Sequence, residues 1–134
     1  MQTNQDILIA AQAKNITITT AESCTAGLIS AALTDLPGSS LIFERGYVTY
    51  SNRAKIQMLS VQSDTLNRFG AVSTEVALEM ARGALNASGA DLAVAVTGIA
   101  GPGGSKHKPE GRVCFAVVHK VAVAASVETT QLIE

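Results

Sequence analysis

Charge is scarce in this chain of 134 residues, where ten basic and eleven acidic side chains amount to 16% of the sequence and a net charge of −1. A surface so sparsely and evenly charged cannot hold a polyanionic backbone by counterion release, which sets nucleic acid aside as the main partner. Aromatic residues are scarcer still at 4%, with no tryptophan. Three Phe and two Tyr cannot tile the stacking surface that single-strand binders need. Only Cys24 and Cys114 carry thiols, and their separation offers neither a disulfide framework nor a four-ligand zinc site. His107 and His119 fit no metal-ligand spacing with either cysteine, so neither a metal nor another cofactor is expected, and a reducing compartment is. Long apolar runs are missing as well. The longest candidate, residues 113–127, is interrupted by His119 and Lys120 and is shorter than the ~20 residues of a membrane helix. The first residues also lack the basic stretch and apolar run of a secretory signal. The expectation is one soluble cytoplasmic domain over residues 1–134, built on a hydrophobic fraction of 47%.

What is present reads as alternating helices and strands. Residues 6–13 are good helix formers with Asp6 at the favourable end of the helix dipole. Residues 16–21 alternate β-branched apolar and hydroxyl side chains at the period of a strand. Small apolar residues over 26–33 predict a tightly packed helix that stops before Pro37-Gly38. A strand is expected from Tyr47, with Gly46 marking its start, and a helix after the N-cap types Ser51 and Asn52, leaving Tyr50 at the junction. Ser73-Thr74-Glu75 opens a longer helix with Val76, Met80 and Ala84 on one stripe and Gly89 at its end. Residues 91–97 form a near-continuous apolar strand, 98–111 a loop, and 112–118 with 127–133 two final strands, read as an antiparallel pair. This order predicts an α/β fold, a three-layer α/β/α sandwich with a mostly parallel, partly mixed sheet and ligands beyond the carboxyl ends of the strands.

Three strand ends carry unusual chemistry. Ser23 follows a strand and precedes a helix of small residues, the setting of a nucleophile held at a positive helix terminus. Ser23 or Thr25 serves equally well as a simple N-cap, and the flanking glycines of an α/β-hydrolase elbow are absent. Without a well-placed histidine, a serine can be activated by a lysine made neutral by burial, and Lys55 is the best-placed candidate. The alternative is an ordinary solvated lysine. Tyr50 either offers its phenol to this lysine or packs in the core. The glycine-rich stretch from Thr97 to Ser105 can turn backbone N–H groups toward an anion such as phosphate, yet it matches neither a Walker loop nor the dinucleotide fingerprint, and a plain surface loop has the same composition.

Taken together, the strings Thr20-Ala21-Glu22-Ser23-Cys24-Thr25-Ala26-Gly27, Phe43 to Asn52 with Lys55, Gly70-Ala71-Val72-Ser73, and Thr97-Gly98-Ile99-Ala100-Gly101-Pro102 with Lys108-Pro109-Glu110-Gly111 resemble the CinA C-terminal domain family over nearly the whole chain. The resemblance implies the CinA-like fold and, from characterised members, deamidation of nicotinamide mononucleotide. It implies Ser23 as nucleophile, Lys55 as base and Tyr50 as assisting residue, with Cys24, Thr25, Gly27, Thr97, Gly98 and Gly101 at the substrate. Two departures are visible. Ala26 stands where the family motif has the first of two glycines, and the chain ends at Glu134, before the family's Gly-x-Arg segment and final helix. An arginine expected to hold the substrate phosphate is therefore absent from this sequence. The leading expectation is a cytoplasmic amidohydrolase, with a catalytically silent nucleotide-binding or regulatory module as the alternative. The partner is a small nucleotide, and apolar strand surface left without a terminal helix favours a homodimer.

Overall fold

The computed structural model describes residues 3–99, 111–120 and 125–129. Its elements run α1 (Asn4–Lys14), β1 (Ile18–Glu22), α2 (Leu28–Thr34), a 3-10 turn (Ser39–Leu41), β2 (Phe43–Val48), α3 (Asn52–Leu59), α4 (Ser63–Phe69), α5 (Thr74–Ser88), β3 (Leu92–Gly98), β4 (Val113–His119) and β5 (Ala125–Thr129). The five strands form one sheet in the order β2-β1-β3-β4-β5. β1 pairs in parallel with β2 and β3, whereas β3–β4 and β4–β5 are antiparallel, so the sheet is mixed, with four strands running one way and β4 the other. Among the described residues no helix is long and apolar enough to cross a membrane.

Two apolar clusters flank the sheet and make the sandwich. On one side Val76, Ala77, Met80, Ala81 and Ala84 of α5 meet Ala21, Ala93, Ala95, Cys114 and Ala116, joined by Leu59, Val61 and Leu66. The predicted stripe of α5 is this buried face. On the other side Leu8, Ala11 and Leu33 of α1 and α2 pack on Ile18 and Ile42. Alanine dominates the first interface because helix and sheet backbones approach closely there, and close-packed interiors leave no slack for added volume. Gly83 shows how tight the fit is, since a Cβ on it would lie 1.9 Å from the Leu59 carbonyl oxygen. Alanine suits a helix interior better than glycine by about 1 kcal/mol, yet overpacking against immovable backbone costs about 1–3 kcal/mol or more. Gly83→Ala is therefore expected to lower the urea midpoint by a net loss of about 1–2 kcal/mol, and an unchanged or raised midpoint would show that α3 yields freely.

The structure departs from the sequence expectation at β2, α2 and α4. β2 starts at Phe43 rather than Tyr47, because pairing with β1 recruits Glu44, Arg45 and Gly46, whose side of this edge strand faces solvent. Gly46 therefore lies inside the strand, where a Cβ would sit 2.5 Å from Ser30 Oγ and 2.7 Å from Thr20 Oγ1. α2 begins at Leu28 and not at residue 26, with a turn over residues 23–27 before it. α4 was not anticipated, since its polar sequence buries little beyond Leu66 and shows no apolar period. The expected antiparallel final pair is present, with β5 starting at Ala125; residues 130–133 of the predicted strand lie outside the described residues.

Candidate active site

β1 ends at Glu22, in register with Val48 of β2 and Val96 of β3, so the strand end is flanked on both sides. Ser23 N donates to Val96 O at 3.0 Å and Thr49 N donates to Glu22 O at 2.8 Å, extending the pairing one step beyond the strands. This brings the start of the 23–27 turn beside residues 49–50. From there the chain enters α3, capped by Ser51, whose hydroxyl accepts from Ala54 N at 3.0 Å. Lys55 lies one turn into that helix and points back at the strand end.

The Lys55 side chain is only 1% exposed. Its Nζ donates to Ser23 Oγ at 2.9 Å, to Thr49 O at 3.0 Å and to Tyr50 O at 3.3 Å. Burial pushes the Lys55 ammonium below the ordinary lysine value, against an opposing pull from the Cys24 thiolate form. Within hydrogen-bond reach of Nζ are thus one hydroxyl and two carbonyls, and among the described residues no carboxylate forms a salt bridge with it. An ammonium donates to all three acceptors, whereas a neutral amine keeps its two N–H bonds on the carbonyls and turns its lone pair to the Ser23 proton. The fit to a base for Ser23 is chemical as well as geometric.

Tyr50 meets this cluster through its backbone. Its carbonyl accepts from Lys55 and lies 3.5 Å from Ser23 Oγ, whereas its side chain is 69% exposed. The phenol is therefore at the rim rather than on the lysine. Cys24, next to the serine, is half-buried, and burial pushes its thiol up, with the amides of Cys24 and Thr25 pulling weakly the other way. A thiol held protonated does not compete with Ser23 as nucleophile. A Cβ on Gly98 would lie 3.0 Å from Cys24 Sγ, so Gly98 forms the wall beneath that residue. The amides of Cys24 and Thr25 face the Cys24 sulfur, a weak acceptor that an incoming oxyanion can displace.

The remaining candidates are distributed differently. Thr97 is buried and its hydroxyl donates to Ala71 O at 2.9 Å, tying β3 to the Gly70–Ser73 turn ahead of α5. Gly27 caps α2 with φ +110°, beside Val48. Ala26 before it has φ +51°, a left-handed conformation that costs a residue with a Cβ about 1 kcal/mol. The glycine of the family motif would carry no such cost at this position. Gly101 and the rest of the glycine-rich loop to Gly104 lie outside the described residues.

Sequence reasoning missed the role of Glu22. Its side chain is 0% exposed, and the carboxylate accepts four hydrogen bonds: from Thr25 Oγ1 at 2.6 Å and Ile29 N at 2.8 Å on Oε1, and from Ser30 N at 3.0 Å and Ser30 Oγ at 2.9 Å on Oε2. Burial by itself would raise its pKa, but these bonds outweigh it and hold the carboxyl below the usual glutamate range. Glu22 thus does what was expected of Ser23 or Thr25, satisfying the orphan amides at the start of α2. The signal available in the sequence was its position: a carboxylate at the end of a strand, seven and eight residues before those amides.

Comparisons with known proteins point to one family. The CinA C-terminal domain family matches residues 1–132. The nicotinamide-nucleotide amidohydrolase PncC of Escherichia coli strain K12 is 55% identical over 117 residues, covering 87% of this chain and 71% of that protein. A CinA-like protein of Chlorobium limicola is 56% identical over 107 residues, 79% of this chain but 25% of its own length. Among solved structures, the competence/damage inducible protein CihA from Agrobacterium tumefaciens superposes with a TM-score of 0.90 at 49% identity, covering 93% of this chain and 76% of that one. A CinA superfamily protein from Escherichia coli gives a TM-score of 0.89 at 35% identity, covering 96% and 77%. With the family matched across almost its whole length and relatives above half identity, this chain belongs to the CinA C-terminal domain family.

Proposed function

We propose that this protein is a cytoplasmic amidohydrolase that converts the carboxamide of nicotinamide mononucleotide to a carboxylate with release of ammonia. The observation that carries the reading is the buried Lys55 Nζ, 2.9 Å from Ser23 Oγ and flanked by two carbonyls. The substrate follows from the name of the PncC relatives. Ser23 Oγ attacks the amide carbon as its proton passes to the Lys55 amine, and the amides of Cys24 and Thr25 turn to the oxyanion. Collapse of the tetrahedral adduct breaks the C–N bond, and the Lys55 ammonium returns its proton to the departing nitrogen, which leaves as ammonia. Water, deprotonated by the same amine, then cleaves the acyl-serine and restores both groups.

In this reading Cys24, Thr25, Gly27 and Gly98 line the substrate, Thr97 holds the end of β3, and Gly101 is assigned to substrate binding by the family resemblance alone. The phenol of Tyr50 stands at the rim, exposed and positioned to meet a bound substrate. A homodimer is part of the same proposal. It is supported by an apolar groove of about 440 Å³ lined by residues that include Ile7, Leu28, Ile29, Val94 and Val117.

Ammonia release from nicotinamide mononucleotide is the direct test. Turnover that saturates with substrate is expected, with nicotinamide riboside a poorer substrate because it lacks the phosphate. Binding of the mononucleotide without ammonia release would overturn the enzymatic reading and favour a nucleotide-binding module.

A further inference from the structure

We infer that Glu22 is a positioning residue for this reaction: its buried carboxylate holds the turn that carries Ser23 and the oxyanion-binding amides in their reactive geometry. The inference rests on the Ser23–Lys55 reading and adds the group that fixes its frame. Glu22 precedes the nucleophile directly and closes hydrogen-bonded loops across the turn to Thr25 and onto the first residues of α2, Ile29 and Ser30. The turn needs such an anchor. It contains two successive left-handed residues, Ala26 and Gly27, and its N-cap, Gly27, has no side chain to satisfy the helix amides. The network continues past the carboxylate, since Ser30 Oγ lies 2.6 Å from Thr20 Oγ1 while donating to Glu22. Gly46 makes room for both hydroxyls, because a Cβ there would overlap them.

The chemistry of the pocket demands an ionised carboxylate. Every partner of Glu22 is a donor, two on each oxygen. A carboxylate meets all four, whereas a glutamine amide presents one oxygen and turns its own N–H groups on the donors opposite. Glu22→Gln therefore conserves shape and removes the fit. Displacements well under an ångström at a nucleophile and its oxyanion donors are felt mainly in the transition state.

The test measures kcat and KM for nicotinamide mononucleotide, together with the rate at which a fluorophosphonate labels Ser23, in the wild type, Glu22→Gln, Glu22→Asp, Ser30→Ala and Ser23→Ala. For Glu22→Gln we expect kcat and the labelling rate to fall by about 10- to 100-fold with KM changed by less than about threefold. Glu22→Asp, which keeps both acceptor oxygens on a shorter arm, should recover part of the loss. Ser30→Ala, which removes one of the four donors and spares the Ser30 amide, should lose a few-fold in kcat. A folded Glu22→Gln protein with wild-type kcat and labelling would overturn the inference, as would losses that match the unfolded fraction alone. Should Glu22→Gln fail to fold, an unchanged kcat and labelling rate in Ser30→Ala would overturn it equally. Ammonia release that survives in Ser23→Ala would instead defeat the nucleophile reading beneath, a result recognisable without reference to Glu22.

Discussion

Ser23→Ala is expected to reduce ammonia release from nicotinamide mononucleotide by about 10⁴-fold or more, since removing a nucleophile leaves only binding and oxyanion stabilisation. The fold should survive. The hydroxyl lies at the end of β1, and its loss deprives Lys55 of one partner while Thr49 O and Tyr50 O remain at 3.0 and 3.3 Å. The stability cost should then be about 1 kcal/mol, a small drop in melting temperature with an unchanged far-UV spectrum. The cap alternative predicts a different pattern. Because Ser23 caps nothing and Glu22 serves the α2 amides instead, a loss of helical signal in Ser23→Ala would contradict the geometry. Retained turnover in a folded variant would remove Ser23 from the reaction.

Lys55 should announce itself in two pH profiles. Its folded pKa is lowered by burial, so the rate is expected to rise with pH through that lowered value as the amine becomes available to take the Ser23 proton. Stability should move in the same direction. Between the lowered pKa and the ~10.4 of an exposed lysine, the unfolded chain binds the proton that the folded chain has released. Folding is then favoured increasingly by raising the pH, by about 1.4 kcal/mol per unit across that window from this group, with no contribution to the slope below it. Lys55→Met fills the same buried space without a charge, and should abolish both the activity and this segment of the stability slope. Lys55→Arg keeps the charge but cannot become neutral, so it should be as inactive as the methionine variant and less stable, with a larger head forced against two carbonyls. A basic limb that persists with substantial activity in Lys55→Arg would assign the proton transfer to another group.

The comparison of sequence with structure separates two kinds of information. The extents of α1 and α5 were close to their sequence signals, because good helix formers with Asp6 near the start of α1, and the Ser73 opening, apolar stripe and Gly89 stop of α5, act within a few residues. α4 and the first half of β2 escaped for the converse reason. Ser63–Phe69 has almost no apolar pattern, and Phe43–Gly46 becomes strand through its pairing with Ile18–Thr20, a contact that no local period encodes.

For the site the division is sharper. From the residues alone, Ser23 at one strand end and Tyr50 with Lys55 at another were weighed as nucleophile, assisting phenol and base against plainer roles, and the resemblance of their surrounding strings to a family tipped that balance. By itself the sequence determined the α/β class, the exclusion of stacking surfaces, and the residue types on hand for amide chemistry, because composition and period are local properties of the chain. Only the tertiary structure decided that Lys55 Nζ meets Ser23 Oγ across 32 residues, that Tyr50 approaches Lys55 with its carbonyl and not its phenol, and that Glu22 anchors the turn. The first of these depends on the parallel register of β1 against β2, which brings Glu22 beside Val48. Such a register is chosen by the burial of whole strand faces, so it becomes readable only when the layers are packed.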